Sequence, residues 1–251
     1  MSYGFLIPVY NHGRTAVSVV ERLSGYGLPV ILVDDGSDGE TKTCLAGIAA
    51  AFPQAVLVNR AKNGGKGAAV SSGIDKAHEL GLSHVLQIDA DGQHDAGRAA
   101  FFLEQSAVHP EAAVCGAPVF DDSVPESRKN GRKVSNAWAR IVSLSSDITD
   151  VLCGFRVYPV EAVWRLIHRY HFDRRMGFDI EILIRLYWER IPLIFHPVSV
   201  VYPEGGVSHF HLVKDNIRIS LVWTKLFMGM IIRLPLLVSR RFRQGSGAGK
   251  R

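Results

Sequence analysis

The sequence predicts an α/β protein in which a mostly parallel sheet is flanked by helices and followed by an amphipathic C-terminal helix. Three observations carry that prediction. Short apolar runs alternate with stretches of helical periodicity along the N-terminal part of the chain. Acidic, amide and glycine-rich clusters follow directly after the apolar runs, where open α/β sheets bind ligands at the carboxyl ends of their strands. No internal repeat and no low-complexity linker interrupts the chain before its last few residues.

The elements follow in order. Residues 5–11 read as a first strand, broken by Pro8 and ending in the polar Tyr10 and Asn11. Val17, Val20 and Leu23 share one face of a helix that closes near Gly25 and Gly27. Residues 30–33 form a second strand that runs into Asp34, Asp35, Gly36, Ser37 and Asp38. A helix over 40–52 and a strand over 55–58 come next. The run Asn63-Gly64-Gly65-Lys66-Gly67 then opens a helix to about Leu80. A buried strand from Val85 ends abruptly in Asp89-Ala90-Asp91-Gly92-Gln93-His94. Farther on, 113–118 and 191–201 read as strands, 129–145 as a helix, and Gly177 opens another helix.

Asp89 and Asp91 are two residues apart, so at the frayed end of a strand both carboxylates can converge on one ion, with Gln93 as a third oxygen. Such a set of hard oxygens suits Mg²⁺ or Mn²⁺. The alternative is a solvated acidic loop. The Gly-Gly-Lys-Gly run is neither a Walker A loop nor a dinucleotide fingerprint, because its spacing fits neither. It reads equally as a phosphate cradle at a helix N-terminus or as a flexible turn.

Charge is unevenly placed. The chain of 251 residues carries a net +5, yet residues 214–251 hold nine Lys or Arg against the single acid Asp215, a segment charge of +8 that leaves −3 on the rest. That pattern argues against a nucleic-acid surface and for a localised anionic partner such as a membrane face. Residues 213–234 are apolar, interrupted by Lys214, Arg218, Lys225 and Arg233, with Pro235 expected to end or kink the helix. No long uncharged run predicts a membrane span. The helix is expected either to lie in a membrane interface or to cover the core or a homodimer contact. The domain division expected is 1–212, a basic helical tail over 213–243, and a flexible terminus over 244–251. Cys44, Cys115 and Cys153 lack metal-ligand spacing and read as reduced core thiols. The N-terminus lacks the pattern of a signal peptide, so a cytoplasmic location is expected, peripheral on a membrane.

Taken in order, Ile7-Pro8-Val9-Tyr10-Asn11, Val33-Asp34-Asp35-Gly36-Ser37-Asp38, Asn63 through Ala69, Asp89 through His94, and Asp150-Val151-Leu152-Cys153-Gly154-Phe155-Arg156 resemble the successive blocks of family 2 glycosyltransferases of the GT-A (Rossmann-like) fold. The nearest branch is the dolichyl- or polyprenyl-phosphate sugar synthases. Ala117 and Pro118 depart from the Gly-Ser-Arg often found there.

The resemblance implies an inverting transfer from a nucleotide-diphosphate sugar to a lipid-linked acceptor, a polyprenyl phosphate or a lipid hydroxyl, with a divalent metal. It implies that Asp35 contacts the base, that Pro8, Tyr10 and Asn11 shape its pocket, and that Lys66 and Asp89 serve the nucleotide sugar. Asp91 and Gln93 are implied as metal ligands. Arg132 and Arg156 are the acceptor-phosphate candidates, Arg156 because a guanidinium fork suits phosphate oxygens. Asp179 is the candidate base for an acceptor hydroxyl, with Glu181 holding a loop or salt bridge. His209 and His211 are expected either to touch the pyrophosphate or to be surface residues. A soluble saccharide acceptor and a catalytically silent sugar-nucleotide sensor or scaffold are the alternatives.

Overall fold

Alternation along the first strand sets up two cores. In β1 (Tyr3–Val9), Phe5, Ile7 and Val9 face one side and Leu6 the other, all buried. The computed structural model describes residues 1–120, 124, 126–200 and 212–247. In chain order the elements after β1 are α1 (Gly13–Ser24), β2 (Val30–Asp34), α2 (Gly39–Ala51), β3 (Ala55–Asn59), α3 (Lys66–Glu79) and β4 (His84–Gln87). They are followed by α4 (Ala99–Val108), β5 (Ala113–Phe120), α5 (Glu126–Ser143), β6 (Arg156–Pro159), α6 (Val160–Arg169), α7 (Phe178–Trp188), β7 (Leu193–Val200) and α8 (Leu212–Gly247).

The seven strands form one sheet in the order β3-β2-β1-β4-β6-β5-β7. Every pairing is parallel except those of β6, which runs antiparallel to both β4 and β5. One face buries Phe5, Val20, Leu32, Leu45 and Phe102; the other buries Val33, Val70, Ile74, Phe178 and Leu226. Each such side chain contributes roughly 1.5–3 kcal/mol on burial. The predicted α/β sandwich is therefore present, with elements the sequence reading did not find: α4, β6 and α6.

Register positions the functional loops. Val9 pairs with Asp34 and Asp34 with Asn59, so β1, β2 and β3 end level. Leu6 pairs with Gln87, which brings the end of β4 beside them. Arg156 pairs with both Gln87 and Cys115, so β6 starts where β4 stops and delivers Gly154 and Phe155 to the same edge.

Pro235 does not end the C-terminal helix, which continues through it to Gly247. Pro235 removes only the bond to the carbonyl four residues back, and both Pro235 and Ile231 lie on the exposed face where water can replace it. One face of α8 packs on the domain through Val222, Trp223, Leu226, Met230 and Leu237, while Ile217, Leu221, Met228 and Ile232 stay exposed. Among the described residues, one helical stretch, Lys214–Arg240, is long and apolar enough to cross a membrane. The absence of such a stretch was expected, and the reason it exists is that only Lys225 and Arg233 interrupt residues 219–236.

Candidate active site

Three charged side chains from distant parts of the sequence meet at the strand ends. Lys66, the first residue of α3, places its ammonium 2.9 Å from both oxygens of Asp89 and 2.8 Å from Asp179 Oδ2. Asp89 follows β4 and Asp179 opens α7, so the lysine ties two edges of the site together. Burial works against the Lys66 charge, but the Asp179 and Asp89 carboxylates outweigh it and raise its pKa. Burial likewise works against the Asp89 charge, yet Lys66 and His94 hold that carboxyl well below the usual carboxylate range. His94 Nε2 lies 3.8 Å from Asp89 Oδ2.

Asp91 sits in a different environment. Its Oδ1 accepts the Gln93 backbone N–H at 3.0 Å, and among the described residues no lysine, arginine or histidine forms an ion pair with it. Burial, and then the neighbouring Asp89 carboxylate, raise its pKa. An unpaired carboxylate beside a second acid is the kind of donor a divalent cation stabilises. Among the described residues no three His, Cys, Asp or Glu side chains form a preformed metal centre. A cation here would therefore draw on Asp91, Asp89 and Gln93 together with oxygens of a ligand. The donor set, all oxygen, fits Mg²⁺ or Mn²⁺.

The glycine run resolves as a turn locked by an internal anion. Asp35, nearly fully buried, accepts the backbone N–H groups of Gly64 at 3.0 Å and Gly65 at 2.7 Å, and its Oδ1 lies 2.8 Å from Arg60 Nε. Those amides hold Asp35 instead of an external phosphate, so the cradle reading is replaced. Together these donors occupy at most about three of the roughly four acceptor positions of the carboxylate. Gly65 has φ +95, a conformation open to glycine at little strain, and an added Cβ would meet Arg175 Cγ at 2.5 Å. Gly154 is required for closeness: a Cβ there would lie 2.6 Å from Asp89 Oδ2 and 2.7 Å from Lys66 Nζ.

The other expected residues fall into place as follows. Pro8 is in β1 opposite Val33, and half-buried Tyr10 follows the strand. Asn11, at φ 54, accepts the Asp38 N–H on Oδ1 at 2.9 Å, which fixes the entry to α2 beside a cavity of about 200 Å³ lined by Asn11, His12, Asp38 and Thr41 among others. Arg132 binds Asp150 and lies over the Phe120 ring at 5.1 Å.

Arg156 is corrected. Its guanidinium is fully buried and donates to Tyr158 Oη at 3.1 Å, to the Asp179 carbonyl at 2.8 Å and to the Val151 carbonyl at 2.9 Å. It braces the site from inside the sheet and does not reach an acceptor. Glu181 does hold a salt bridge and a loop: it pairs with Arg185 at 2.8 Å and Lys225 at 2.6 Å, and accepts the Asp173 N–H at 3.0 Å. His209 and His211 lie outside the described residues.

Sequence reasoning missed Arg60 and Arg175 and gave His94 no role. Arg60 and Arg175 act on residues brought near only by the sheet or by the α7 turn, whereas His94 stands in the same run as Asp89. Cys115 and Cys153 are buried thiols, and burial pushes both up to about 12, as expected of inert core groups.

Residues 5–167 match the family described as Glycosyl transferase family 2. The chain belongs to that family. It is 26% identical over 220 residues to a polyprenol monophosphomannose synthase of Mycolicibacterium smegmatis, covering 85% of this chain and 82% of that protein. It is 22% identical over 243 residues to a UDP-N-acetylglucosamine–dolichyl-phosphate N-acetylglucosaminyltransferase of Methanococcus voltae, covering 90% and 96%. The resemblance to the polyprenyl-phosphate sugar synthase branch thus holds along most of the family 2 chain. In fold it is similar to glucosyl-3-phosphoglycerate synthase of Mycobacterium tuberculosis, solved with Mn²⁺ and UDP, at TM-score 0.64 and 14% identity over 92% of this chain and 78% of that one.

Proposed function

We propose that this family 2 member is an inverting transferase that moves a sugar from a nucleotide-diphosphate sugar to a polyprenyl phosphate. The observation that carries the reading is the contrast at the strand ends: Asp89 and Asp179 share Lys66, while Asp91 forms no ion pair among the described residues. A site built this way has one place for a cation-bridged diphosphate. The names of its relatives supply the acceptor class, a lipid phosphate.

Asp91, with Asp89 and Gln93, would hold Mg²⁺ or Mn²⁺, and the ion would supply Lewis-acid stabilisation of charge on the diphosphate. The rest is the work of the chain. The Asp35-locked turn and Asn11 frame the nucleotide at the ends of β1 and β2. Lys66 fixes Asp89 in its ionised form and keeps the pocket's charge from rising as the donor enters. The acceptor phosphate oxygen attacks the anomeric carbon from the face opposite the diphosphate, the C–O bond to the diphosphate breaks, and the configuration inverts. A phosphate is already ionised, so no base is needed. Asp179 suits that chemistry, because a carboxylate held by Lys66 at 2.8 Å serves as a positioning counter-ion. Arg132, partly exposed above Phe120, and Arg175, whose stem lies against Gly65, are the acceptor-side cations.

We further infer that the exposed apolar face of α8 lies on the cytoplasmic face of an anionic membrane, where Ile217, Leu221, Met228 and Ile232 would be buried. The test is a donor-by-acceptor matrix of nucleotide sugars against polyprenyl phosphates, lipid hydroxyls and soluble saccharides, with products identified by mass spectrometry. A glycosyl phosphate polyprenol is the expected product. Tight nucleotide binding with no turnover in any combination would sink the enzyme reading in favour of a silent sensor.

A further inference from the structure

A second charged pocket lies away from the strand ends, between α8 and the turn that joins α7 to β7. Its cavity of about 350 Å³ is lined by Arg169, Arg190, Arg233 and Arg240, with Tyr170 and Trp188 as an aromatic wall. The one acid among its lining residues is Glu189, which is 4.0 Å from Arg169 and accepts the Tyr170 hydroxyl at 3.4 Å. Four guanidiniums thus face one carboxylate.

Arg233 and Arg240 are held in place by neutral groups, which leaves the pocket with positive charge in surplus. Arg233 lies over the Trp188 ring at 4.7 Å and donates to the Gly229 carbonyl at 3.2 Å and to Tyr170 Oη at 3.4 Å. Arg240 donates to the carbonyls of Tyr187 at 3.3 Å and Trp188 at 2.8 Å, while its Nε is buried without a partner. Burial, and then the nearby Arg190, push the Arg240 pKa down, the mark of like charges pressed together. Arg190 occupies the left-handed region at φ 66, where Asn or Gly would fit with less strain. Guanidiniums grouped around one cavity with positive charge in surplus suit phosphate oxygens.

We propose that this pocket binds a phosphate group, carried either by an anionic phospholipid headgroup or by a free phosphate. The pocket borders the apolar outer face of α8, through the exposed Leu236, so a lipid phosphate seated there would keep its acyl chains beside Ile232 and Leu234. The site takes no part in sugar transfer, and its binding is read without donor or acceptor, so failure of the transferase reading leaves it standing.

The test uses the full chain, with inorganic phosphate followed by calorimetry at constant ionic strength and flotation with vesicles of phosphatidylglycerol or phosphatidylcholine. The variant is Arg169→Gln with Arg190→Asn, two exposed positions, and the control is Arg22→Gln with Arg165→Gln, which removes the same charge elsewhere. Arg190→Asn alone is the fallback should the double variant fold poorly. Wild type and control are expected to bind at least one probe saturably, and the pocket variant at least tenfold more weakly. Loss of phosphatidylglycerol binding in the variant assigns the site to a lipid headgroup. Loss of inorganic phosphate binding with vesicle binding unchanged assigns it to a free phosphate. No saturable binding of either probe, or equal binding by variant and control, overturns the proposal.

Discussion

The two charged sites of this molecule are built on opposite plans. At the strand ends, Lys66 stands between Asp89 and Asp179, so one cation bridges two carboxylates inside the protein. Beside α8, Arg169, Arg190, Arg233 and Arg240 gather around the single Glu189 and lean on carbonyls and aromatic rings. The first arrangement uses charge to hold distant segments together. The second keeps charge in surplus, at some expense in stability, which is a property of binding surfaces more than of frameworks. Asp91 is the place where the first site adopts the plan of the second, with its sign reversed.

The largest expected effect comes from breaking that internal bridge. Lys66→Met leaves two buried carboxylates without a counter-ion and is expected to cost about 3–5 kcal/mol, read by denaturant unfolding. The pH dependence should change with it. Asp89 is depressed in the folded state, so its contribution is present above its unfolded pKa and is lost as pH falls through the folded value. Lys66 is raised, so its contribution is present below its unfolded pKa and is lost as pH rises toward the folded value. The wild-type pair should therefore be level across neutral pH, and Lys66→Met should lose stability between acid and neutral pH as Asp89 ionises without its counter-ion. A variant as stable as wild type at neutral pH would end the view that this cluster is structural.

Next in size is Asp91→Asn. Activity and divalent-dependent binding of nucleoside diphosphate should fall by roughly 10²–10³-fold, while the midpoint of thermal unfolding stays put because no ion pair is broken. Since the Asp91 carboxyl is raised in the folded protein, its proton leaves later than from an ordinary aspartate. Divalent binding, measured by calorimetry across acid pH, should therefore weaken on acidification before an ordinary carboxylate would protonate. Equal ion-dependent binding by variant and wild type would remove Asp91 from the metal assignment.

Packing of α8 gives a smaller but still large effect. Trp223→Ala removes a buried ring that stacks near Trp138 at 6.3 Å and should destabilise by about 3–4 kcal/mol. Ile232→Ser, on the exposed face of the same helix, should leave stability unchanged and reduce partition onto phosphatidylglycerol vesicles. Equal effects of the two on unfolding would mean that the helix has no outer and inner face. Smallest is Arg190→Asn. Because it relieves both like-charge crowding and a left-handed backbone strain, unfolding should stay within about 0.5 kcal/mol of wild type, on the stabilising side. A marked loss would show that the arginine cluster holds the fold after all.

Much of the site was legible because its parts lie next to strand ends in the sequence itself. Asp89, Asp91 and the Gly64–Gly67 run could be placed from local pattern alone. Arg156 looks available in the sequence, but it is swallowed between β4 and β5. Pro235 does not stop the helix, because a proline's effect depends on whether water can reach the carbonyl it leaves unbonded.

The sequence by itself determined the alternation of strands and helices, the ligand edge of the sheet, and the basic, apolar character of the C-terminal helix. Those properties reside in the order and periodicity of neighbouring side chains. Tertiary structure alone decided which charges are paired and which are left over. It placed Lys66 between two acids more than twenty and one hundred residues away, and it drew arginines of α6, α8 and the α7–β7 turn around one pocket. Coulomb energy depends on distance through space and on burial, and neither is written in the spacing of residues along the chain.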